Sequence, residues 1–99
     1  MFEWDPKKNI TNIAKHGFGF ETAIRIFEGW VLTAIDDRFD YGEIRENSIG
    51  MVDGLVFILV THTDRADRKR IISARPATRR ERERYDKALR ARAESGRTE

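Results

Sequence analysis

The dipeptide Asp53-Gly54 lies between two stretches with strand patterning, a half-exposed one at 41–52 and a mainly apolar one at 55–63. Asp and Gly readily adopt the left-handed backbone conformation that tight hairpin turns require, so this is the strongest hairpin signal in the sequence. The longest apolar run, 55–60, falls in the second of the two strands, which is therefore expected to be central in its sheet. A chain with this hairpin has to build an antiparallel sheet around it.

Turn and cap signals divide the rest of the chain into short elements. Asp5-Pro6 is typical of a helix start, and Thr78 with Glu81 has the form of a capping box. The further predicted elements are strands over 2–4, 30–35 and 68–75 and helices over 6–16, 20–28 and 79–92. The resulting order, β-α-α-β-β-β-β-α, predicts an α+β domain with a mainly antiparallel sheet and a basic C-terminal helix. Residues 1–92 are expected to form one domain and residues 93–99 a frayed tail.

Charge is distributed unevenly along the chain. Residues 68–99 hold twelve basic and five acidic residues, a net charge of +7, whereas residues 1–67 hold seven and twelve, a net charge of −5. Such polarity indicates a polyanionic partner, although charge runs are also common on solvated helix faces. Several of the cations flank the apolar centre of the strand at 68–75, and a strand would hold them rigidly. We therefore favour a functional surface.

Composition excludes several classes of protein. No cysteine is present, so disulfides and thiolate metal sites are excluded. No apolar run suits a signal peptide or a membrane span, and we expect a cytoplasmic protein without a membrane partner. The acidic clusters around Asp36 and Asp64 lie at turn positions, and no short metal-ligand spacing occurs, so neither a metal nor a cofactor is expected.

Two long strings resemble a known family. FEWDPKKNITNIAKHGFGFETA and VTHTDRADRKRIISARPATRRERERYDKAL are similar to the N- and C-terminal signatures of the BrnT family of bacterial type II toxins, and together they cover about half of the chain. One departure is Gly-Phe-Gly-Phe before the second helix, where a capping Ser is common; we expect a weaker cap. The resemblance implies a RelE-like ribonuclease domain with endoribonuclease activity that arrests translation. It also implies a cognate antitoxin of ribbon-helix-helix type, and the protein would contact DNA only through this antitoxin.

A metal-independent ribonuclease must activate a ribose 2′-hydroxyl, stabilise the charge of the phosphorane and protonate the leaving 5′-oxygen. Arginine suits the second task because its planar fork matches phosphate oxygens. Arg75 comes just before a helix start, whose unpaired N–H groups favour phosphate; the alternative is an ion pair with Glu43 or Glu81. The candidate catalytic residues are Arg75, His62, Arg45 and Arg79.

His62 is the candidate for proton transfer. It is the only imidazole on the predicted sheet, and an ordinary histidine titrates near neutral pH. It also ends a core-facing column that includes Ile58 and Val60, so it could instead be a hydrogen-bonded lid on the core. Arg45 could reach the phosphate from the neighbouring strand or pair with Asp40.

The candidate substrate-binding residues are Arg70, Arg80, Lys15 and Tyr85. Tyr85 lies at helical spacing from Leu89, so a place in the core is the alternative. Simple alternation along the strand at 68–75 puts Ile71, Ser73 and Arg75 on one face. A rival function remains open: a basic module without catalysis that recognises a partner within a DNA-binding repressor complex.

Overall fold

The computed structural model describes residues 1–38, 40 and 42–95. The strands of this part of the chain are β1 (Phe2–Trp4), β2 (Leu32–Asp36), β3 (Arg45–Val52), β4 (Val56–Arg65) and β5 (Arg68–Pro76), and the helices are α1 (Pro6–His16), α2 (Phe20–Ala23), continued by a 3₁₀ segment (Ile24–Glu28), and α3 (Arg79–Ser95). The predicted α+β class and element order are confirmed. No helix within the described ranges is long and apolar enough to cross a membrane.

The strands form one sheet in the order β1-β5-β4-β3-β2. β1 runs parallel to β5, and the other neighbours are antiparallel. The predicted hairpin joins β3 to β4: Asp53 and Gly54 both have positive φ, 56° and 68°, and the Leu55 N–H donates to the Val52 carbonyl at 3.1 Å. β4 lies between β3 and β5, which confirms its central place.

Several predicted boundaries move by a few residues. β3 begins at Arg45 and not at residue 41, which itself lies outside the described residues. α3 continues to Ser95, three residues beyond the predicted helix end at residue 92. The remainder of the predicted tail, 96–99, also lies outside the described residues.

Two helical layers cover the two faces of the sheet. α1, α2 and the 3₁₀ segment pack on what we call the N-terminal face, and α3 packs on the opposite, C-terminal face. The core of the N-terminal face consists of Phe20, Ala23, Ile26, Val52, Ile58, Val60, Ile71 and Ala74. The smaller core of the C-terminal face is formed by Ile49, Leu59 and Tyr85. The chain therefore has a thick apolar layer on one side and a thin one on the other.

In the Gly-Phe-Gly-Phe segment, a side chain of α1 replaces the missing N-terminal cap of α2. Gly19 makes no side-chain cap for α2, but the Asn9 side chain accepts from the Phe20 N–H at 2.7 Å. A Cβ at residue 19 would come within 2.8 Å of that same Asn9 oxygen. Glycine at this position thus lets α1 cap α2 from outside, so the expected loss of a cap is compensated.

A β-bulge changes the alternation of β5. Thr61 pairs with Ser73, whereas the next residue of β4, His62, pairs with Ile71, so Ile72 is an extra residue. Ile71 belongs to the core of the N-terminal face, and Ser73 and Arg75 lie on the C-terminal face. The prediction that these three residues share a face is therefore wrong, because strict alternation fails at a bulge.

Candidate functional site

A groove of about 340 Å³ opens on the C-terminal face where α3 leaves the sheet uncovered. α3 has a narrow apolar stripe, so it covers only the part of the sheet near Tyr85. Alternate residues of β3, β4 and β5 line the rest. The polar and charged lining residues are Asp36, Asp37, Arg38, Asn47, Thr61, Ser73, Arg75, Glu81 and Arg84. The groove therefore combines polar and charged side chains with an apolar floor.

Arg75 is fixed at this groove by Glu81. Its two terminal nitrogens donate to the two carboxylate oxygens of Glu81, each at 2.8 Å. Glu81 also accepts from the Thr78 N–H at 2.8 Å, which is one half of the predicted capping box; the other half, Thr78 Oγ1 accepting from the Glu81 N–H at 3.2 Å, is present too. The start of α3 thus holds the carboxylate, and the carboxylate holds the guanidinium.

The two charges of this pair stabilise each other. The hydrogen bond from Arg75 is the main reason that the pKa of Glu81 falls to about 2, with the Thr78 N–H adding to it. The hydrogen bond to Glu81 raises the pKa of Arg75. Partial burial and the nearby charge of Arg38 both act to lower this pKa, but their effect is smaller. Both groups are therefore ionised at neutral pH.

A second arginine–carboxylate pair lies across the groove. Arg38 donates from Nε and Nη2 to the two oxygens of Asp36, at 2.8 and 3.0 Å, and the Asp36 side chain is buried. The sequence suggested only a turn here, and Arg38 was not a candidate. Arg38 lies in an acidic stretch of the sequence, so nothing in the local pattern indicates a functional cation. It follows the end of β2 and lines the same groove as Arg75.

Lysines of α1 approach Arg75 from the other side. A cleft of about 390 Å³ lies between α1 and β5, and it is lined by Lys7, Lys8 and Lys15 and by the same Ser73 and Arg75 that line the groove. The cleft exists because β1 pairs only with Lys69, Arg70 and Ile71 and leaves the rest of that β5 edge uncovered. Lys15 is therefore brought near Arg75, as a substrate-binding role would require.

His62 does not join this group. It lies on the N-terminal face, 1% exposed, with its Nε2 2.7 Å from Ser48 Oγ and its ring edge-on to Phe27. Burial, together with the charge of Lys69, lowers the pKa of His62 to about 4. A neutral, buried ring on the face opposite Arg75 cannot share a phosphate with it, so the predicted pairing of the two residues does not fit the structure. The alternative, a histidine that closes the core, does.

The other predicted arginines are dispersed. Arg45 lies on the C-terminal face of β3, 25% exposed, with Glu43 at 3.7 Å. Arg79 is 86% exposed, with Glu83 at 3.9 Å, and lines a separate pocket with Phe57 and Asp86 on a side of α3 away from the groove. Arg70 pairs with Glu3 at 2.9 Å, five residues before Arg75 along β5. Arg80 is exposed at the start of α3.

Tyr85 is a core residue. It is 3% exposed, its hydroxyl donates to the Trp30 carbonyl at 3.1 Å, and its ring packs against Trp30 and Phe57. Desolvation raises the pKa of its hydroxyl. A base cannot stack on a ring enclosed in this way, so the predicted contact of Tyr85 with substrate does not fit the structure.

The chain matches a family model described as the ribonuclease toxin, BrnT, of type II toxin-antitoxin systems, over residues 4–81. Its fold is similar to the 1.1 Å crystal structure of the Brucella abortus ribonuclease toxin, BrnT, with a TM-score of 0.59 and 28% identity over 80% of this chain and 99% of that chain. No curated protein sequence is significantly similar. The family match runs from β1 into the start of α3 and includes both Arg75 and Glu81. The chain belongs to the BrnT family of ribonuclease toxins of type II toxin-antitoxin systems.

Proposed function

We propose that this protein is a metal-independent endoribonuclease that inhibits translation, acts in the cytoplasm and is neutralised by a DNA-binding antitoxin of ribbon-helix-helix type. The observation that carries the proposal is the Arg75–Glu81 pair at the groove, in a chain whose family consists of ribonuclease toxins. RNA and the antitoxin are its partners, and DNA is contacted only through the antitoxin.

The RNA backbone follows the basic path from α1 to the groove. The lysines of α1 attract phosphates at the uncovered edge of β5, and Arg75, Arg38 and Arg84 offer guanidinium groups in the groove, next to the carboxylates of Asp36, Asp37 and Glu81. Arg79 and Arg80, which are exposed at the start of α3, add to the field that steers RNA toward this face. Arg45 and Arg70 lie on the same face farther along the strands and contact flanking phosphates.

Arg75 stabilises the charge that develops on the scissile phosphate. The 2′-oxygen attacks phosphorus, the bond to the 5′-oxygen breaks, and the proton lost by the 2′-hydroxyl is balanced by the one that the 5′-oxygen gains. The products are a 2′,3′-cyclic phosphate and a 5′-hydroxyl. Glu81 positions the guanidinium. Among the described residues no imidazole lines the groove, although His16 lines the adjoining cleft together with Arg75. The contribution assigned to Arg75 is charge stabilisation, and one such donor is typically worth about 2.7–4 kcal/mol of barrier.

Cleavage by the purified protein tests the proposal. In EDTA, a single-stranded or ribosome-bound RNA should be cut, and mass spectrometry of the fragments should show cyclic phosphate at the 3′ ends. Cleavage that requires added Mg²⁺ would contradict the mechanism, and fragments with 3′-hydroxyl ends would contradict the chemistry.

The rival function is a partner-binding module without catalysis. It is favoured by the ion pairs Arg75–Glu81 and Arg38–Asp36, because guanidinium groups already bonded to carboxylates are less available to a scissile phosphate. Expression of the chain alone separates the two functions: an enzyme arrests growth, and Arg75→Ala abolishes the arrest without unfolding the protein. A neighbouring gene that encodes a ribbon-helix-helix protein would support the antitoxin assignment.

A further inference from the structure

One nitrogen of His62 is buried without a hydrogen-bond partner. Nε2 is 2.7 Å from Ser48 Oγ, but Nδ1 forms no hydrogen bond in the described part of the chain. A buried polar atom left in this state typically costs about 1–3 kcal/mol, so it calls for a physical explanation. The proposed ribonuclease mechanism does not use this atom, because His62 lies on the other face of the sheet.

Nδ1 points toward two carboxylates. Glu46 is directly opposite His62 on β3, and its Oε1 lies 4.0 Å from Nδ1; Asp64 is two residues farther along β4 and on the same face. One ligand atom from each of the three residues lies within 4.8 Å of the others. All three are held by paired strands, so the arrangement is rigid. Glu46 is sixteen residues from His62 in the chain, which is why no short motif indicates it.

Ser48 sets the state of the imidazole. Its hydroxyl is within 2.7 Å of both His62 Nε2 and Thr33 Oγ1. When Nε2–H donates to Ser48, Nδ1 keeps its lone pair and presents it to the carboxylates. Metal-binding histidines generally have this second hydrogen bond, which orients the ring and fixes its tautomer.

We propose that Glu46, His62 and Asp64 bind one divalent transition-metal ion of the zinc class. One imidazole nitrogen and two carboxylate oxygens are ligands that zinc accepts, with the fourth position open to water. Zinc–ligand distances of about 2.0–2.2 Å place tetrahedral ligand atoms roughly 3.3–3.6 Å apart. Glu46 and Asp64 are 31% and 69% exposed, so their side chains can close the remaining gap by changing rotamer.

Lys69 competes for the same position. Its ammonium lies 3.4 Å from Asp64 Oδ1 and 5.4 Å from the centre of the Phe27 ring. A metal ion has to displace this charge, and the lysine side chain, 30% exposed, can turn toward solvent. The affinity is therefore lower than in a dedicated zinc site. Because the site is on the N-terminal face, the ion stabilises the fold and takes no part in RNA cleavage.

Zinc binding by the untagged full chain tests the proposal. Calorimetry with Zn²⁺ alone should give one equivalent, and a hundredfold excess over Kd should raise Tm by at least about 5 °C, whereas Mg²⁺ at the same concentration should not. Co²⁺ in place of Zn²⁺ should show the visible absorption of a tetrahedral ion.

Variants separate this site from an adventitious one. Glu46→Gln and Asp64→Asn should each weaken Zn²⁺ binding at least tenfold, and Lys69→Met should strengthen it. Glu83→Gln, the same charge change on α3, is the matched control and should leave binding unchanged. Unchanged affinity in both carboxylate variants, or loss of binding in His16→Gln, would overturn the proposal. These variants keep His62, because replacing it would also change its contact with Phe27 and so mix an effect on packing with one on metal binding.

Discussion

The two faces of the sheet are built from alternate residues of the same strands, yet they differ in almost every physical respect. On the N-terminal face, Ile58 and Val60 of β4 are buried under three helical segments, and the polar residues Ser48 and His62 bond to each other. On the C-terminal face, the intervening Thr61 lies in a groove beside Arg75. From this comparison we propose that the N-terminal face supplies stability and the C-terminal face supplies the chemistry. Variants on each face can break or sharpen this division.

The largest effect should come from Arg75→Ala. Loss of the guanidinium removes the proposed stabilisation of the phosphorane, so kcat/KM for RNA cleavage should fall about 10²–10³-fold. Arg79→Ala, the same substitution four residues away on an 86% exposed side chain, should lower it only a few-fold through the weaker field. Steady-state cleavage by both variants, at matched circular dichroism, provides the measurement. Equal losses would contradict the assignment of the groove.

Acid should weaken the N-terminal face through His62. Its pKa is about 4 in the fold, mainly because it is buried, against about 6.5 when unfolded. The unfolded state therefore binds the extra proton, and the stabilisation, up to about 3 kcal/mol, is present above pH 6.5 and is lost as the pH falls toward 4. Urea unfolding between pH 7 and pH 4 measures this slope. A His62→Gln variant should have a flatter profile over that window, and an identical profile would contradict the account.

His62→Gln should also separate stability from catalysis at neutral pH. Glutamine can still bond to Ser48 but packs less well against Phe27, so the free energy of unfolding should fall by about 1–3 kcal/mol. Cleavage per folded molecule should remain within about threefold of the parent. A loss of cleavage comparable to that of Arg75→Ala, in a protein of unchanged stability, would restore His62 as a catalytic residue.

Glu81→Gln should have a smaller and divided effect. The amide can still accept from the Thr78 N–H, but it removes the charge that holds Arg75, so about 1 kcal/mol of stability should be lost. Cleavage should fall about tenfold, mainly in kcat, because in the proposed mechanism Glu81 positions the guanidinium and does not contact the substrate. Paired measurements of kcat and KM test this. A rise in KM alone would show that Glu81 acts only in binding.

Local patterns predicted much of this fold. The Asp53-Gly54 hairpin, the Thr78–Glu81 capping box and the helix start at Asp5-Pro6 depend on residues close together in the chain, and each is present. The faces of β5 were partly mispredicted because the bulge at Ile72 depends on pairing with β4, which leaves no mark in the strand's own sequence.

The site was less predictable than the fold. Arg75 and its possible ion pair with Glu81 could be inferred, since Glu81 is near in sequence. The position of Arg38 could not, because it depends on how β2 ends beside a distant strand. His62 was assigned to the site because its chemistry is suitable, but the side of the sheet it occupies is decided by tertiary packing.

Mapping the binding of an uncleavable RNA is the most direct test of the division between the faces. An oligonucleotide with 2′-O-methyl groups cannot form the cyclic product, so it can be titrated into isotope-labelled protein and followed by NMR. The account predicts that the largest amide shifts fall at Asn47, Thr61, Ser73 and Arg75, while Ser48 and the ring of His62 stay unchanged. Shifts centred on Ser48 and His62, with the groove unaffected, would contradict it.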